Sequence, residues 1–127
     1  MNQKILVCVT GQKSCEALIR SGAELAKERG GELSVVHVSK RGNPFMGGDN
    51  DAQTLEYLFE ISKNYNADMM LLRNDDVSGT IASHARKTGA TVLIVGARGR
   101  SGSNAVLRQI QNALPDVEIK TVFTEEN

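Results

Sequence analysis

Three observations predict a three-layer α/β/α fold for this chain, with a parallel sheet of five strands between two layers of helices. The apolar runs are short and largely unbroken, as at 4–9 and 92–95, which is the pattern of strands buried on both faces. These runs alternate with amphipathic stretches of helical length, and strand–helix–strand units joined by right-handed crossovers build parallel sheets. Most junctions carry a glycine, a proline or a helix-capping side chain.

The first strand is Lys4-Ile5-Leu6-Val7-Cys8-Val9, apolar almost throughout. It ends in the polar turn Thr10-Gly11-Gln12-Lys13-Ser14, where Ser14 is placed to cap a helix over 15–29. That helix sets Leu18, Gly22, Leu25 and Ala26 on one face and Glu16, Arg20, Glu24 and Lys27 on the other, and Gly30-Gly31 stops it. Glu32-Leu33-Ser34-Val35-Val36-His37-Val38 is the second strand. Residues 39–50 contain Gly42, Pro44, Gly47 and Gly48, lack periodicity and read as a loop.

Asp49 or Asp51 can cap the second helix, with an expected inner stripe of Leu55, Leu58, Phe59, Ser62 and Tyr65. Ala67-Asp68-Met69-Met70-Leu71-Leu72 is the third strand. Asn74-Asp75-Asp76 leads into a helix with Val77, Ile81, Ala85 and Thr88 inside, closed by Gly89. After the fourth strand a helix over 104–114 stops at Pro115. In the last strand, 117–123, Val117, Ile119, Thr121 and Phe123 alternate with Glu118 and Lys120, as at a sheet edge. No repeat or second domain is visible, so a single domain over 1–127 is expected.

The totals narrow the function classes. The chain has 127 residues, with 15 Lys plus Arg against 15 Asp plus Glu. A zero formal charge gives no general attraction to nucleic acid or to an anionic membrane, so neither partner is expected. Aromatics are only 4%, too few for a base-stacking platform. No apolar run approaches the ~20 residues of a membrane span, and no secretion signal is visible. Cys8 and Cys15 match neither a redox pair nor a zinc knuckle; Cys8 reads as core packing, and a reactive role for Cys15 near a helix start lacks a histidine partner. A reduced, cytoplasmic protein is expected.

Function points to one stretch, Thr91 onward. The run Val92-Leu93-Ile94-Val95 is expected to break at once into Gly96-Ala97-Arg98-Gly99-Arg100-Ser101-Gly102-Ser103. Three glycines allow close backbone approach, two arginines supply bidentate cationic donors, and two serines supply hydroxyls. A strand-to-helix turn also aims free N–H groups outward, so the stretch has the chemistry of a phosphate site. The plain alternatives are a tight turn made by the glycines and solvated charges on Arg98 and Arg100. No Walker loop and no Gly-x-Gly-x-x-Gly is present. His37 and His84 read as satisfied, partly buried histidines, and the Asp49/Asp51 and Asp75/Asp76 pairs as caps rather than metal ligands. No nucleophile elbow or zinc-hydrolase helix occurs, so no catalysis and no metal are expected.

The opening 4–11 stretch, the Val35-Val36-His37-Val38 strand, and Val92-Leu93-Ile94-Val95-Gly96 followed by Gly99 together resemble the universal stress protein family, and within it the stress-protein-like domain of KdpD osmosensing histidine kinases. The resemblance covers nearly the whole chain. It implies a Rossmann-like sheet of order 3-2-1-4-5, similar to the adenine nucleotide alpha hydrolases, a homodimer through the last strand, and ATP held with Gly-x-x-Gly under the phosphates and the end of strand two beside the adenine. The sequence departs from the ATP-binding pattern at two places. Thr10 stands where such members carry an acid, and nine residues after Gly99 come Gln109 and Ile110 instead of Gly-Ser or Gly-Thr. Some KdpD-type domains bind cyclic di-AMP through a small residue and Ser-x-Ser, then a Phe-Thr segment. Here Gly99-Arg100-Ser101-Gly102-Ser103 precedes Phe123-Thr124 by nineteen residues.

The expected function is therefore an adenine-nucleotide-binding signalling module, for ATP or cyclic di-AMP, in a stress or osmotic and potassium response. Its site would comprise Thr10, Gly11, Ser14, Val38, Gly96, Arg98, Gly99, Arg100, Ser101, Gly102 and Ser103. The competing expectation is a dimeric interaction module whose nucleotide motif has decayed. A nucleotide hydrolase has the least support.

Overall fold

A computed structural model describes residues 3–9, 15–39, 51–98 and 105–124. Strands and helices alternate as β1 (Lys4–Cys8), α1 (Cys15–Arg29), β2 (Glu32–Ser39), α2 (Asp51–Asn64), β3 (Asp68–Arg73), α3 (Val77–Thr88), β4 (Val92–Arg98), α4 (Ala105–Ala113) and β5 (Glu118–Thr124). All pairings are parallel, and the sheet runs β3-β2-β1-β4-β5. The central strands β1 and β4 are apolar on both faces because each face carries a helical layer. Ile5, Val7, Val9, Val92 and Ile94 pack under α1 and α2. Leu6, Cys8, Leu93 and Val95 pack under α3 and α4.

The α1 face follows the expected division. Leu18, Gly22, Leu25 and Ala26 are buried, and Glu16, Arg20, Glu24 and Lys27 are exposed. Gly22 lets the helix sit close on the sheet, since a Cβ there would overlap Val7 Cγ2 and lie 2.9 Å from Leu33 Cδ1. At its far end Arg29 makes a two-pronged ion pair with Glu118 at the start of β5, at 2.8 and 3.1 Å. The α3 helix is capped as its sequence indicates: Asp76 Oδ1 accepts from Gly79 N–H at 3.0 Å, and Gly89 closes the helix with φ of 73°.

Two expectations need correction. Phe59 is 50% exposed rather than inside. Among the described side chains the buried stripe of α2 is Leu58, Ile61 and Ser62, with Tyr65 just beyond the helix half-buried, so Phe59 falls about 100° around the helix, on its flank; the Leu55 side chain lies outside the described ones. The second correction concerns β4, which continues through Gly96 and Ala97 to Arg98 instead of breaking after Val95. The cause is β5, which pairs with it rung by rung from Val92↔Glu118 to Arg98↔Thr124. The outer strand supplies the ladder that a local reading of glycine leaves out.

Candidate functional site

The strand order reverses between β1 and β4. The helix after β1 goes to one face of the sheet and the helix after β4 to the other, so among the described residues no crossover covers the gap between their carboxyl ends. Such a gap is where open α/β sheets hold ligands. The last β1–β4 register pair is Cys8↔Val95, which brings Val9 and Gly96 to the lip of the crevice. Of the expected site residues, Val38 near the carboxyl end of β2, and Gly96 and the backbone of Arg98 at the carboxyl end of β4, are described at this end of the sheet. Thr10, Gly11, Ser14, Gly99, Arg100, Ser101, Gly102 and Ser103 lie outside the described residues, as does the Arg98 side chain.

The β2 side of the crevice has a specific geometry. Val9 N–H donates to Val36 O at 3.0 Å, one rung beyond the end of β1. His37 Nδ1 lies 2.7 Å from Val9 O. A carbonyl can only accept, so Nδ1 carries the proton and the neutral ring is the Nδ1–H tautomer. His37 is 4% exposed, and burial pushes its protonation below the ordinary imidazole range; the Val9 bond opposes this shift and the charge of Arg73 adds to it. On the other side of β2, Asn74 N–H donates to Ser39 O at 2.8 Å, closing the β2–β3 seam. The expectation of a satisfied histidine holds. What the sequence reading missed is that its partner is the carbonyl of Val9, the residue that follows β1.

Gly96 has a packing reason to be glycine. A Cβ there would meet Leu18 Cδ1 of α1 at 3.1 Å, tighter than ordinary contact. Its place in the sheet opposite Val122 sets it under the close approach of α1. Gln109 and Ile110, at the positions of the second glycine motif, are also in structural use. Ile110 is 1% exposed in the α3/α4 core, and Gln109 Oε1 accepts from the Ser78 hydroxyl of α3. Cys8 is buried beneath the crevice, and burial pushes its thiol up to about 12, so it is inert as a nucleophile.

A cavity of about 690 Å³ among the described residues is at the opposite end of the sheet, near Lys4, Lys27, Glu32, Asp68 and His84. There the carboxyl ends of α1 and α3 converge, where a helix presents unpaired carbonyls and the negative end of its dipole. The two lysines are offset by two carboxylates. That environment disfavours a phosphate, so its size does not make it the anion site. Among the described residues no three His, Cys, Asp or Glu side chains are grouped to hold a metal ion, and no helix is long and apolar enough to cross a membrane.

Comparisons with known proteins agree with this geometry. Residues 1–112 match the universal stress protein family. The sensor protein KdpD of Mycobacterium tuberculosis is 34% identical over 99 residues, covering 78% of this chain and 11% of the sensor, so the chain spans about a tenth of that curated relative. A universal stress protein solved in complex with cAMP superposes with a TM-score of 0.67 at 13% identity, covering 98% of both chains. The Archaeoglobus fulgidus universal stress protein in complex with dAMP gives 0.59 at 21% identity, covering 97% of this chain and 98% of its own. With a parallel sheet in the order 3-2-1-4-5 and a sequence match over most of its length, this chain belongs to the universal stress protein family and is similar within it to the corresponding part of KdpD.

Proposed function

We propose that this chain is a nucleotide-responsive signalling module that holds an adenine nucleotide, ATP or cyclic di-AMP, in the crevice between β1 and β4. The observation that carries the reading is the open switch point, with the main chain of Val38 and the lip residues Val9 and Gly96 around it. Family structures in complex with cAMP and dAMP support the ligand class. In this reading the N–H groups of 99–103 and the guanidinium groups of Arg98 and Arg100 take the phosphates, with Thr10, Gly11 and Ser14 on the opposite wall. The module binds and signals without turning the nucleotide over. It dimerises through the edge strand β5 and works in the cytoplasm, in a stress or osmotic and potassium response; similarity to KdpD supports that context.

Calorimetric titration with ATP, cyclic di-AMP and cAMP tests this. Binding of at least one is expected, and the double variant Arg98→Ala/Arg100→Ala should weaken it at least tenfold, as for loss of charged hydrogen bonds. Unchanged affinity in that variant removes the phosphate assignment. A second reading, a ligand-free dimeric interaction module, is favoured by the use of Gln109 and Ile110 in packing. Absence of heat with all three nucleotides, together with a concentration-dependent dimer, would select it.

A further inference from the structure

In a continued parallel ladder, Val9 would make two bonds to β2, its N–H to Val36 O and its O from Val38 N–H. The first is present at 3.0 Å. The second is replaced: the His37 ring reaches Val9 O at 2.7 Å, and Val38 N–H has no acceptor among the described residues. The seam between β1 and β2 is therefore ended by a side chain. Val36 bonds toward β1, while Ser39 accepts from Asn74 on the β3 side. Alternation along the strand then turns Val38 N–H toward β1, at the crevice.

We propose that His37 is a positioning residue for base recognition, whose ring occupies the Val9 carbonyl and so keeps the Val38 N–H available as a donor to the ligand. This deepens the nucleotide reading and rests on it. A donor at this point suits a base whose ring nitrogen accepts, as adenine N1 does. It opposes guanine, whose N1 already carries a hydrogen and would leave two donors facing each other. Because the ring is buried, it is held in one orientation rather than exchanging with solvent. Without the ring, Val38 N–H can close onto Val9 O, which lengthens the seam by one rung and withdraws the donor.

The first test needs no ligand. Nitrogen-15 NMR of the His37 imidazole at neutral pH should show a protonated Nδ1; an unprotonated Nδ1 overturns the proposal. The second uses three variants. His37→Asn places an amide N–H close to where Nδ1 stands, His37→Gln places it too far out, and His37→Leu has none. Affinity for the adenine nucleotide that the wild type binds should stay within about threefold in His37→Asn and fall about tenfold in the other two, the scale of one lost hydrogen bond. Equal losses in Asn and Leu would mean packing alone and would contradict the proposal, as would wild-type affinity in Leu. If the wild type binds no nucleotide, the nucleotide reading fails and base recognition fails with it. The capture of Val9 O is then decided separately by exchange of the Val38 amide, which should be slower in His37→Leu than in the wild type; no slowing would overturn that too.

Discussion

Ser78 on α3 donates its hydroxyl to Gln109 Oε1 on α4, joining the two helices that cover one face of the sheet. Gln109 stands where the ATP-binding pattern has a glycine, and the next residue, Ile110, is 1% exposed in the core. The departure from the motif is thus a structural commitment rather than a vacant position. Restoring the motif with Gln109→Gly/Ile110→Ser should destabilise the fold by several kcal/mol, since a buried isoleucine alone contributes ~2–5. Glycine inside a helix costs ~1 more, and the neighbouring changes need not add. Urea unfolding measures the loss. A stable double variant with tighter ATP binding would contradict this assignment.

Gly96 and Leu18 form a second linked pair, across the interface of β4 and α1. Gly96→Ala should cost ~1–3 kcal/mol by overpacking, and Leu18→Ala ~2–5 by leaving a cavity. Combined, they should cost less than their sum, because the shortened side chain makes room for the new Cβ. Strict additivity in a double-mutant cycle would show that Gly96 is not constrained by this contact.

How far the fold was legible follows from these residues. The unbroken runs of β1 and β4 gave away buried parallel strands, and the glycine and aspartate caps marked the helix ends, because those signals are local. The end of β4 was not legible, since Gly96 and Arg98 are kept in the strand by β5, whose contribution is non-local. Phe59 was misplaced because 58, 59 and 62 all satisfy a helical spacing, and only packing decides between Phe59 and Ile61 as the inner residue. At the site, His37 was recognisable as a satisfied histidine. The carbonyl it satisfies lies 28 positions away, and sequence spacing does not reveal it.

The pH dependence of stability follows from the histidines. Burial is the largest cause of the lowered protonation of both His37 and His84, with Lys87 adding to it at His84. Between the unfolded value of ~6.5 and the depressed folded values, the unfolded chain binds more protons than the folded one. Stability should therefore be full above ~6.5 and fall as pH drops through that window. Urea midpoints at successive pH values should show this slope, and His37→Asn should flatten it. An unchanged slope in the variant would place the effect elsewhere.

Cys8 should be unreactive in the folded protein, with its thiol buried and pushed up to about 12. Labelling with a disulfide reagent under native conditions should modify Cys8 only as fast as the protein opens, and denaturant should expose it. Immediate native labelling of Cys8 would contradict the packing of β1 against α3 and α4.

The central claim is where the nucleotide binds, and amide chemical-shift mapping by NMR during titration with ATP and cyclic di-AMP tests it most directly. The expected result is saturable shifts at Val9, Val38, Gly96 and the segments that follow β1 and β4, while Lys4, His84 and Thr88 around the amino-end cavity stay unmoved. Shifts centred on that cavity, or none at saturating nucleotide, would contradict the account.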